Sequence, residues 1–214
     1  MERIIAPDPW FQREIDAGHG VFDHNSFKLS LLVAKQHRPK LRGVIDIGAH
    51  CGSWTVEYAK HFKRVLAFEP NPNNYKYLER NAGSIDNVQI HNFALGAMSG
   101  EVQMNPGKDN SGQWHMSRKR GVAATVKPLD SIYFDEDIDL LKMDVEGFEF
   151  DVLLGAAETI RKHQPVICLE KNGLGLRYGI DDKVIDQLLK RLGYELVARE
   201  NKDYAYVYTG EYQY

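Results

Sequence analysis

The sequence predicts a three-layer α/β sandwich built on a seven-stranded, mostly parallel β-sheet. Apolar runs of strand length alternate with helical patterns between residues 43 and 192, which predicts the parallel part. These runs are rich in Val, Ile and Leu, as expected for strands that are covered on both faces. Two further strand-like runs, at 194–198 and 204–208, flank the turn-like segment 201–203 and indicate an antiparallel hairpin at the sheet edge.

The first half of the chain supplies three of these strands and the helices that connect them. Residues 1–42 form a helical lead-in, in which the spacing of apolar residues predicts a helix over 23–37 that Pro39 ends. Asn71 and Pro72 provide the N-cap and the first turn of a later helix. The predicted elements that follow the lead-in are a strand at 44–47, a helix at 53–62, a strand at 64–68, a helix at 72–81 and a strand at 88–92.

The alternation of strands and helices breaks at residues 96–128, which we interpret as an inserted β-hairpin or lid. Runs at 101–104 and 122–126 have strand character, and the stretch between them is polar and rich in glycine. The tip at 109–114 ends in Trp114, which is predicted to cover an acceptor. A solvated loop that is anchored by one tryptophan explains the same residues equally well.

Alternation resumes in the second half of the chain. The predicted elements are a strand at 138–144, a helical region at 148–163 interrupted near Gly155, a strand at 165–170, a helix at 181–192 and the closing hairpin. No linker rich in Pro, Gly or Ser divides residues 1–214, so we expect one domain. The tyrosine-rich hairpin either forms a dimer edge or packs within the chain, and the oligomeric state stays open.

Composition and charge exclude several classes of protein. The 214 residues are 43% hydrophobic with a formal net charge of −3, and this weak acidity gives no general attraction to nucleic acid. Only two cysteines occur, which favours a reducing compartment. No apolar run has the length of a signal-peptide core or of a membrane span, so we expect a soluble, cytoplasmic protein.

The turn after the first strand and the end of the second strand together predict a pocket for a nucleoside cofactor. Gly48 allows a sharp turn where a side chain would collide with a ligand, and Gly52 opens the next helix. Glu69 follows the second strand, where a carboxylate accepts hydrogen bonds from both ribose hydroxyls. A glycine turn also serves packing alone. The order Asp46, Gly48, Gly52 resembles the first motif of S-adenosylmethionine-dependent methyltransferases.

A second cluster of functional groups lies at 141–149, at the end of the fourth strand. Four ionisable side chains crowd the position where open α/β sheets bind ligands: Lys142, Asp144, Glu146 and Glu149. An ion pair together with carboxylates that favour a helix N-terminus would explain the same cluster without catalysis.

Through these motifs, the chain resembles the FkbM family of methyltransferases over about residues 43–171. The matching segments are 44–52, 68–71, 129–130, 141–149, 152–156 and 169–170. The resemblance implies a class I methyltransferase fold of the Rossmann-like type, S-adenosylmethionine as donor and O-methylation of a small molecule or glycan. Sugars, glycolipids and polyketide-like molecules are the acceptors it implies. His50 stands where many members have asparagine.

The site residues follow from these motifs. The glycine turn should approach the methionine part of the donor, Glu69 its ribose, and Asn92 to Ala94 its adenine. The full set predicted to bind the cofactor is Asp46, Gly48, Ala49, His50, Gly52, Ser53, Glu69, Pro70, Asn92, Phe93 and Ala94.

The chemistry of methyl transfer points to a second set of residues. An attacking hydroxyl must lose its proton, so Asp144 or Glu146 is the predicted base, and Lys142 or Lys171 is expected to steer an anionic acceptor. His50, the one histidine predicted to lie in the pocket, is a weaker candidate for the base. Oxygen atoms of Asp144, Glu170 and Asn172 resemble the magnesium site of catechol-type methyltransferases, and a bound Mg²⁺ would acidify the hydroxyl. A metal-free site is the alternative.

Three other functions compete with this one. A nicotinamide-dependent Rossmann oxidoreductase would share the sheet and the ribose carboxylate, but it should show a three-glycine phosphate turn that residues 48–52 lack. An RNA or nucleotide methyltransferase would share the donor, and a local basic patch at 108–127 is its main support. A non-catalytic cofactor-binding module would keep the fold without the chemistry.

Overall fold

A computed structural model describes residues 3–105, 111–117 and 121–210. Two helices come first, α1 (Pro9–Ala17) and α2 (His24–His37), and α2, with Asp23 as its N-cap, confirms the helix predicted over 23–37. The alternating elements are β1 (Gly43–Ile47), α3 (Ser53–Ala59), β2 (Arg64–Phe68), α4 (Pro72–Ala82) and β3 (Val88–His91). The sequence did not indicate α1.

The inserted region is a small sheet rather than a single hairpin. Its strands are β4 (Ala94–Leu95), β5 (Gly100–Asn105), β6 (His115–Ser117) and β7 (Val122–Lys127), in the order β4-β7-β5-β6. The predicted strands at 101–104 and 122–126 are confirmed as β5 and β7, which pair antiparallel. The sequence missed β4 and β6 because each has only two or three residues.

The second half of the chain follows the predicted order closely. It contains β8 (Ile138–Met143), α5 (Glu149–Gly155), α6 (Ala157–His163), β9 (Val166–Glu170), α7 (Asp182–Arg191), β10 (Tyr194–Glu200) and β11 (Asp203–Tyr208). The predicted interruption near Gly155 is confirmed as the boundary between α5 and α6. Gly155 is tightly packed, since an added Cβ would lie 2.0 Å from the carbonyl oxygen of Gly96.

The main sheet has seven strands in the order β10-β11-β9-β8-β1-β2-β3. Strands β1, β2, β3, β8 and β9 are parallel, whereas β11 is antiparallel to both of its neighbours. Alternate residues of the central strands point to opposite faces and pack into two separate cores. Ile45, Leu66, Leu141 and Ile167 belong to one core, and Val44, Val65, Leu140 and Val166 belong to the other. The predicted fold class is confirmed.

The register of the sheet places the functional residues at one edge. Ile47 at the end of β1 pairs with both Phe68 and Met143, so the next residues of β1, β2 and β8 emerge side by side. The chain winds from β1 toward β3 in one direction and from β8 toward β9 in the other. This reversal creates the crevice in which open α/β sheets bind ligands.

Candidate active site

A cavity of about 300 Å³ lies at this edge of the sheet. The ends of β1, β2, β8 and β9 form its floor, with Gly48, Glu69, Asp144 and Glu170 among the lining residues. The insert covers the cavity with residues 112–116, and α1 and the segment after it close one side. A smaller cavity of about 70 Å³ shares Gly48, His50 and Asp144 with the larger one. The two cavities therefore form one elongated site along the glycine turn.

The glycine turn is shaped by the neighbouring strand. Gly48 has φ +77°, and a Cβ at this position would lie 1.9 Å from the carbonyl oxygen of Asp144. From the sequence we expected glycine here because a side chain would collide with a ligand. The close contact between the end of β1 and the end of β8 already requires it. Gly52 has φ +84° and caps α3, where a Cβ would lie 2.8 Å from Leu78. Glycine at these two positions lets the turn pass close to Asp144 and Leu78.

Glu69 is held in place by the backbone around it. Its carboxylate oxygens accept hydrogen bonds from the N–H groups of His50 and Asn71, each at 2.9 Å. The side chain is buried, and burial raises the pKa of Glu69 to about 7. Each oxygen retains a lone pair for a second donor. Glu69 is thus a fixed acceptor on the wall of the cavity.

Asp46 and Lys142 form a buried ion pair behind the glycine turn. Their Oδ1 and Nζ atoms are 3.1 Å apart, and Thr55 donates a 2.6 Å hydrogen bond to the other oxygen of Asp46. Lys142 also donates to the carbonyl oxygen of Gly48 at 3.0 Å. The pair supports the turn from behind. These contacts occupy the Lys142 ammonium group, so we expect other groups to attract an anionic methyl acceptor.

Replacing Asp46 by asparagine should destabilise the protein because Lys142 would keep its buried charge without a counterion. We expect the free energy of unfolding to fall by about 3 kcal/mol, measured by urea denaturation. The double variant Asp46→Asn/Lys142→Met should recover much of the loss. The exposed variant Glu158→Gln, which breaks a surface pair with Arg161, should change stability by less than about 0.5 kcal/mol. A loss below about 1 kcal/mol for Asp46→Asn would contradict this role.

Three carboxylates converge beside the cavity. One oxygen each of Asp144, Glu146 and Glu170 lies within 4.8 Å of the others. Burial and the neighbouring charges raise the pKa of Glu146 to about 7 and that of Glu170 to about 9, and burial also raises the pKa of Asp144. Such a group holds protons at neutral pH or binds a cation.

Two of the three predicted metal ligands, Asp144 and Glu170, belong to this carboxylate cluster together with Glu146. The amide nitrogen of Asn172 donates to Glu170 at 2.5 Å, and its oxygen accepts from the N–H of Leu174 at 3.0 Å. Asn172 therefore orients Glu170. Lys171 pairs with Asp186 at 2.5 Å and lies over the ring of Tyr204, in a groove apart from the cavity.

The raised pKa of Glu170 makes stability depend on pH in a defined direction. Its folded pKa exceeds its unfolded value, so between the two the folded state binds more protons and stability falls as pH rises. From pH 7 to 8.5 histidines no longer contribute, because their unfolded pKa is about 6.5. Urea denaturation should therefore show wild-type protein losing about 2 kcal/mol more than Glu170→Gln over this range.

The exposed variant Glu195→Gln is the matched control for this measurement and should lose as much stability as wild type. Equal pH profiles for wild type and Glu170→Gln would show that Glu170 is ionised throughout.

The predicted cofactor residues divide into two groups. Those that line one or both cavities are Gly48, Ala49, His50, Ser53, Glu69, Pro70, Phe93 and Ala94. The remaining three, Asp46, Gly52 and Asn92, support the turns behind the cavity. Asn92 donates through its amide nitrogen to the carbonyl oxygens of Glu69 at 2.8 Å and of Pro70 at 3.3 Å. Among the predicted base candidates, Asp144 and Glu146 both line the larger cavity.

Several lining residues were not found from the sequence. Trp10, Phe11 and Phe22 form an aromatic wall, with the rings of Phe11 and Phe22 stacked 4.2 Å apart. The dense aromatic content near the N-terminus was their only signal. His115 also lines the cavity, so the expectation that His50 alone among the histidines does so was wrong. The predicted position of Trp114 over the site is consistent with its place in the lining.

The fold is shared with known methyltransferases. The structure of a methyltransferase FkbM from Methylobacillus flagellatus aligns with a TM-score of 0.56 at 19% identity, covering 94% of this chain and 61% of that one. The strand order and the ligand crevice define the class I methyltransferase fold. At this identity the likeness concerns the fold alone.

Residues 46–196 match the family described as Methyltransferase FkbM domain, and the chain belongs to this family. The 2-O-methyltransferase NoeI of Sinorhizobium fredii is 26% identical over 56% of this chain. The hexuronic acid methyltransferase AglP of Haloferax volcanii is 25% identical over 67% of it. The alignment spans 59% of the length of each relative. Family membership argues against the nicotinamide-dependent oxidoreductase that the sequence left open.

None of the helices within residues 3–105, 111–117 and 121–210 combines the length and the apolar character that a membrane span requires.

Proposed function

We propose that this domain transfers a methyl group from S-adenosylmethionine to a hydroxyl oxygen of a glycan or another small molecule. The observation that carries the proposal is the pairing of the fixed Glu69 carboxylate with the glycine turn on one elongated cavity. The names of the two relatives, a 2-O-methyltransferase and a hexuronic acid methyltransferase, support the acceptor class.

The donor would lie along the cavity with its ribose at Glu69. Phe93 and Ala94 would border the adenine, and the amino-acid part would extend along the glycine turn into the smaller cavity. This orientation brings the methyl group toward Asp144, which lines both cavities. The acceptor would approach from the side of Trp114 and Glu146.

The chemistry is an in-line displacement at the methyl carbon. The acceptor oxygen forms a bond to carbon while the carbon–sulfur bond breaks, and the sulfur leaves as neutral S-adenosylhomocysteine. The hydroxyl proton passes to Asp144, whose pKa burial raises above its ordinary value. The protein's main contribution is to align oxygen, carbon and sulfur.

The magnesium ion predicted from the sequence stays a prediction. Three converging carboxylates are a donor set that suits a hard divalent cation, and Asp144, Glu146 and Glu170 would hold it. A bound ion would lower the pKa of the acceptor hydroxyl. Activity measured with added Mg²⁺ and with EDTA distinguishes the metal-assisted reaction from simple base catalysis. The predicted cytoplasmic location also stays a prediction.

The proposal is tested by incubating the protein with S-adenosylmethionine carrying an isotope-labelled methyl group and with either RNA or matched hexose, hexosamine and hexuronate glycosides. Transfer of label to a carbohydrate oxygen, located by mass spectrometry, is the expected result. Transfer to RNA but to no glycoside would favour the nucleic-acid alternative. Donor binding without transfer to any acceptor class would favour a non-catalytic module.

A further inference from the structure

Ser111, the first residue of the described segment 111–117 of the insert, has a contact for each of its polar groups. Its N–H donates to Asp8 Oδ2 at 3.1 Å, and its hydroxyl donates to the same oxygen. The hydroxyl oxygen lies 2.8 Å from His50 Nε2, and the carbonyl oxygen accepts from the Asn74 amide at 3.1 Å. One residue of the insert thus contacts three separate parts of the chain.

These three parts surround the donor cavity. Asp8 caps α1, because its other carboxylate oxygen accepts from the N–H of Phe11 at 2.8 Å. His50 belongs to the glycine turn, and Asn74 lies on α4; both line the cavity. The hydrogen bonds therefore join the insert to the aromatic wall, the glycine turn and α4. We call the group Asp8, His50, Asn74 and Ser111 the Ser111 latch.

The direction of the hydrogen bonds fixes the state of His50. Hydrogen bonds from Ser111 and Phe11 outweigh the opposing effect of burial and hold the pKa of Asp8 below its ordinary value. Asp8 is therefore ionised and accepts a hydrogen bond from the Ser111 hydroxyl. The Ser111 oxygen must then accept a hydrogen bond from His50 Nε2. Burial keeps His50 neutral, with its pKa lowered to about 3. The proton lies on Nε2, which leaves Nδ1 as a buried acceptor that has no hydrogen-bond partner among residues 3–105, 111–117 and 121–210.

We propose that Asp8, Asn74 and Ser111 are positioning residues that hold residues 111–117 of the insert closed over the donor cavity and fix His50 in its Nε2–H form. Donor and product exchange only when the latch opens. This inference rests on the proposed function, since it takes the cavity to be the donor site. Loops that cover an active site in this way commonly limit the rate of product release.

The latch is tested by stopped-flow fluorescence with S-adenosylhomocysteine as the probe. Trp10 and Trp114 line the cavity and report its occupation. We expect Ser111→Ala to raise the dissociation rate at least tenfold and the association rate in the same direction, so that Kd changes less than either rate. Ser131→Ala, the same change in a surface turn where the hydroxyl bonds to Pro128, should behave as wild type.

Rates in Ser111→Ala equal to those of wild type would overturn the latch while leaving the proposed function intact. Absence of binding to wild-type protein would instead remove the proposed function. If Ser111→Ala fails to fold, Asn74→Ala, which removes the contact to the Ser111 carbonyl oxygen and part of the cavity lining, should raise the dissociation and association rates together, each about threefold.

A second measurement separates positioning from a merely structural role. The ¹⁵N chemical shifts of the His50 ring should show the Nε2–H tautomer in wild type and a mixture of tautomers in Ser111→Ala. An unchanged tautomer in a folded variant would contradict the role assigned to Ser111.

Discussion

Replacing Glu69 by alanine is expected to weaken the binding of S-adenosylhomocysteine about 100-fold. The two carboxylate oxygens would accept hydrogen bonds from the ribose hydroxyls, and hydrogen bonds to a charged group contribute about 1.5–3 kcal/mol each. The loss also leaves the N–H groups of His50 and Asn71 without their present acceptor. Isothermal titration calorimetry of both proteins measures the effect.

Glu149 offers a matched control for this change. It is also a buried glutamate that accepts backbone N–H groups, from Val145 and Gly147, and its pKa is likewise raised to about 7 by burial. It does not line the donor cavity, so Glu149→Ala should alter stability more than affinity. Equal losses of affinity for the two variants would show that Glu69 acts only through the fold.

The affinity of wild-type protein should also depend on pH. Because burial raises the pKa of Glu69 to about 7 and the ionised form is the better acceptor, binding should strengthen as pH rises through 7.

Replacing Asp144 by asparagine is expected to lower kcat by 10²- to 10⁴-fold, the range found when a general base is removed. Asparagine keeps the size of the side chain but cannot take the proton. Affinity for S-adenosylhomocysteine should change by less than tenfold, since the ribose contact is elsewhere. The measurement needs an acceptor from the glycoside panel and a continuous assay of S-adenosylhomocysteine release.

Two further variants test whether Asp144 is the general base. Asp151→Asn, in α5 and outside the cavity lining, should retain wild-type kcat. Glu146→Gln tests the other carboxylate that the sequence nominated as base. If Glu146→Gln abolishes turnover while Asp144→Asn retains it, the proton goes to Glu146 and the role proposed for Asp144 is wrong.

Sequence patterns predicted the main sheet well because its strands are buried on both faces and its helices carry strong boundary residues. The N-caps Asp23, Asn71 and Asp181 each mark a helix start that the structure confirms. The position of Glu69 and Asp144 at one edge also followed from sequence, since parallel strands of similar length end together. Local chemistry and sheet geometry agreed at these positions.

Contacts between distant segments were not predictable in the same way. The Ser111 latch joins residues 8, 50, 74 and 111, and no local pattern indicates such a group. The commitment of Lys142 to Asp46 was likewise hidden, because the two residues pair across neighbouring strands that are nearly 100 positions apart in sequence. Some sequence predictions lie outside the described residues. These are the first two residues of the tip predicted at 109–114 and most of the basic patch between 108 and 127.

Calorimetric titration of the wild-type protein with S-adenosylhomocysteine, with NADH as a parallel ligand, tests whether the cavity binds the methyl donor. We expect one site with micromolar affinity for S-adenosylhomocysteine and no detectable heat from NADH. Failure to bind S-adenosylhomocysteine, or a preference for NADH, would contradict the assignment of the cavity as a methyl-donor site.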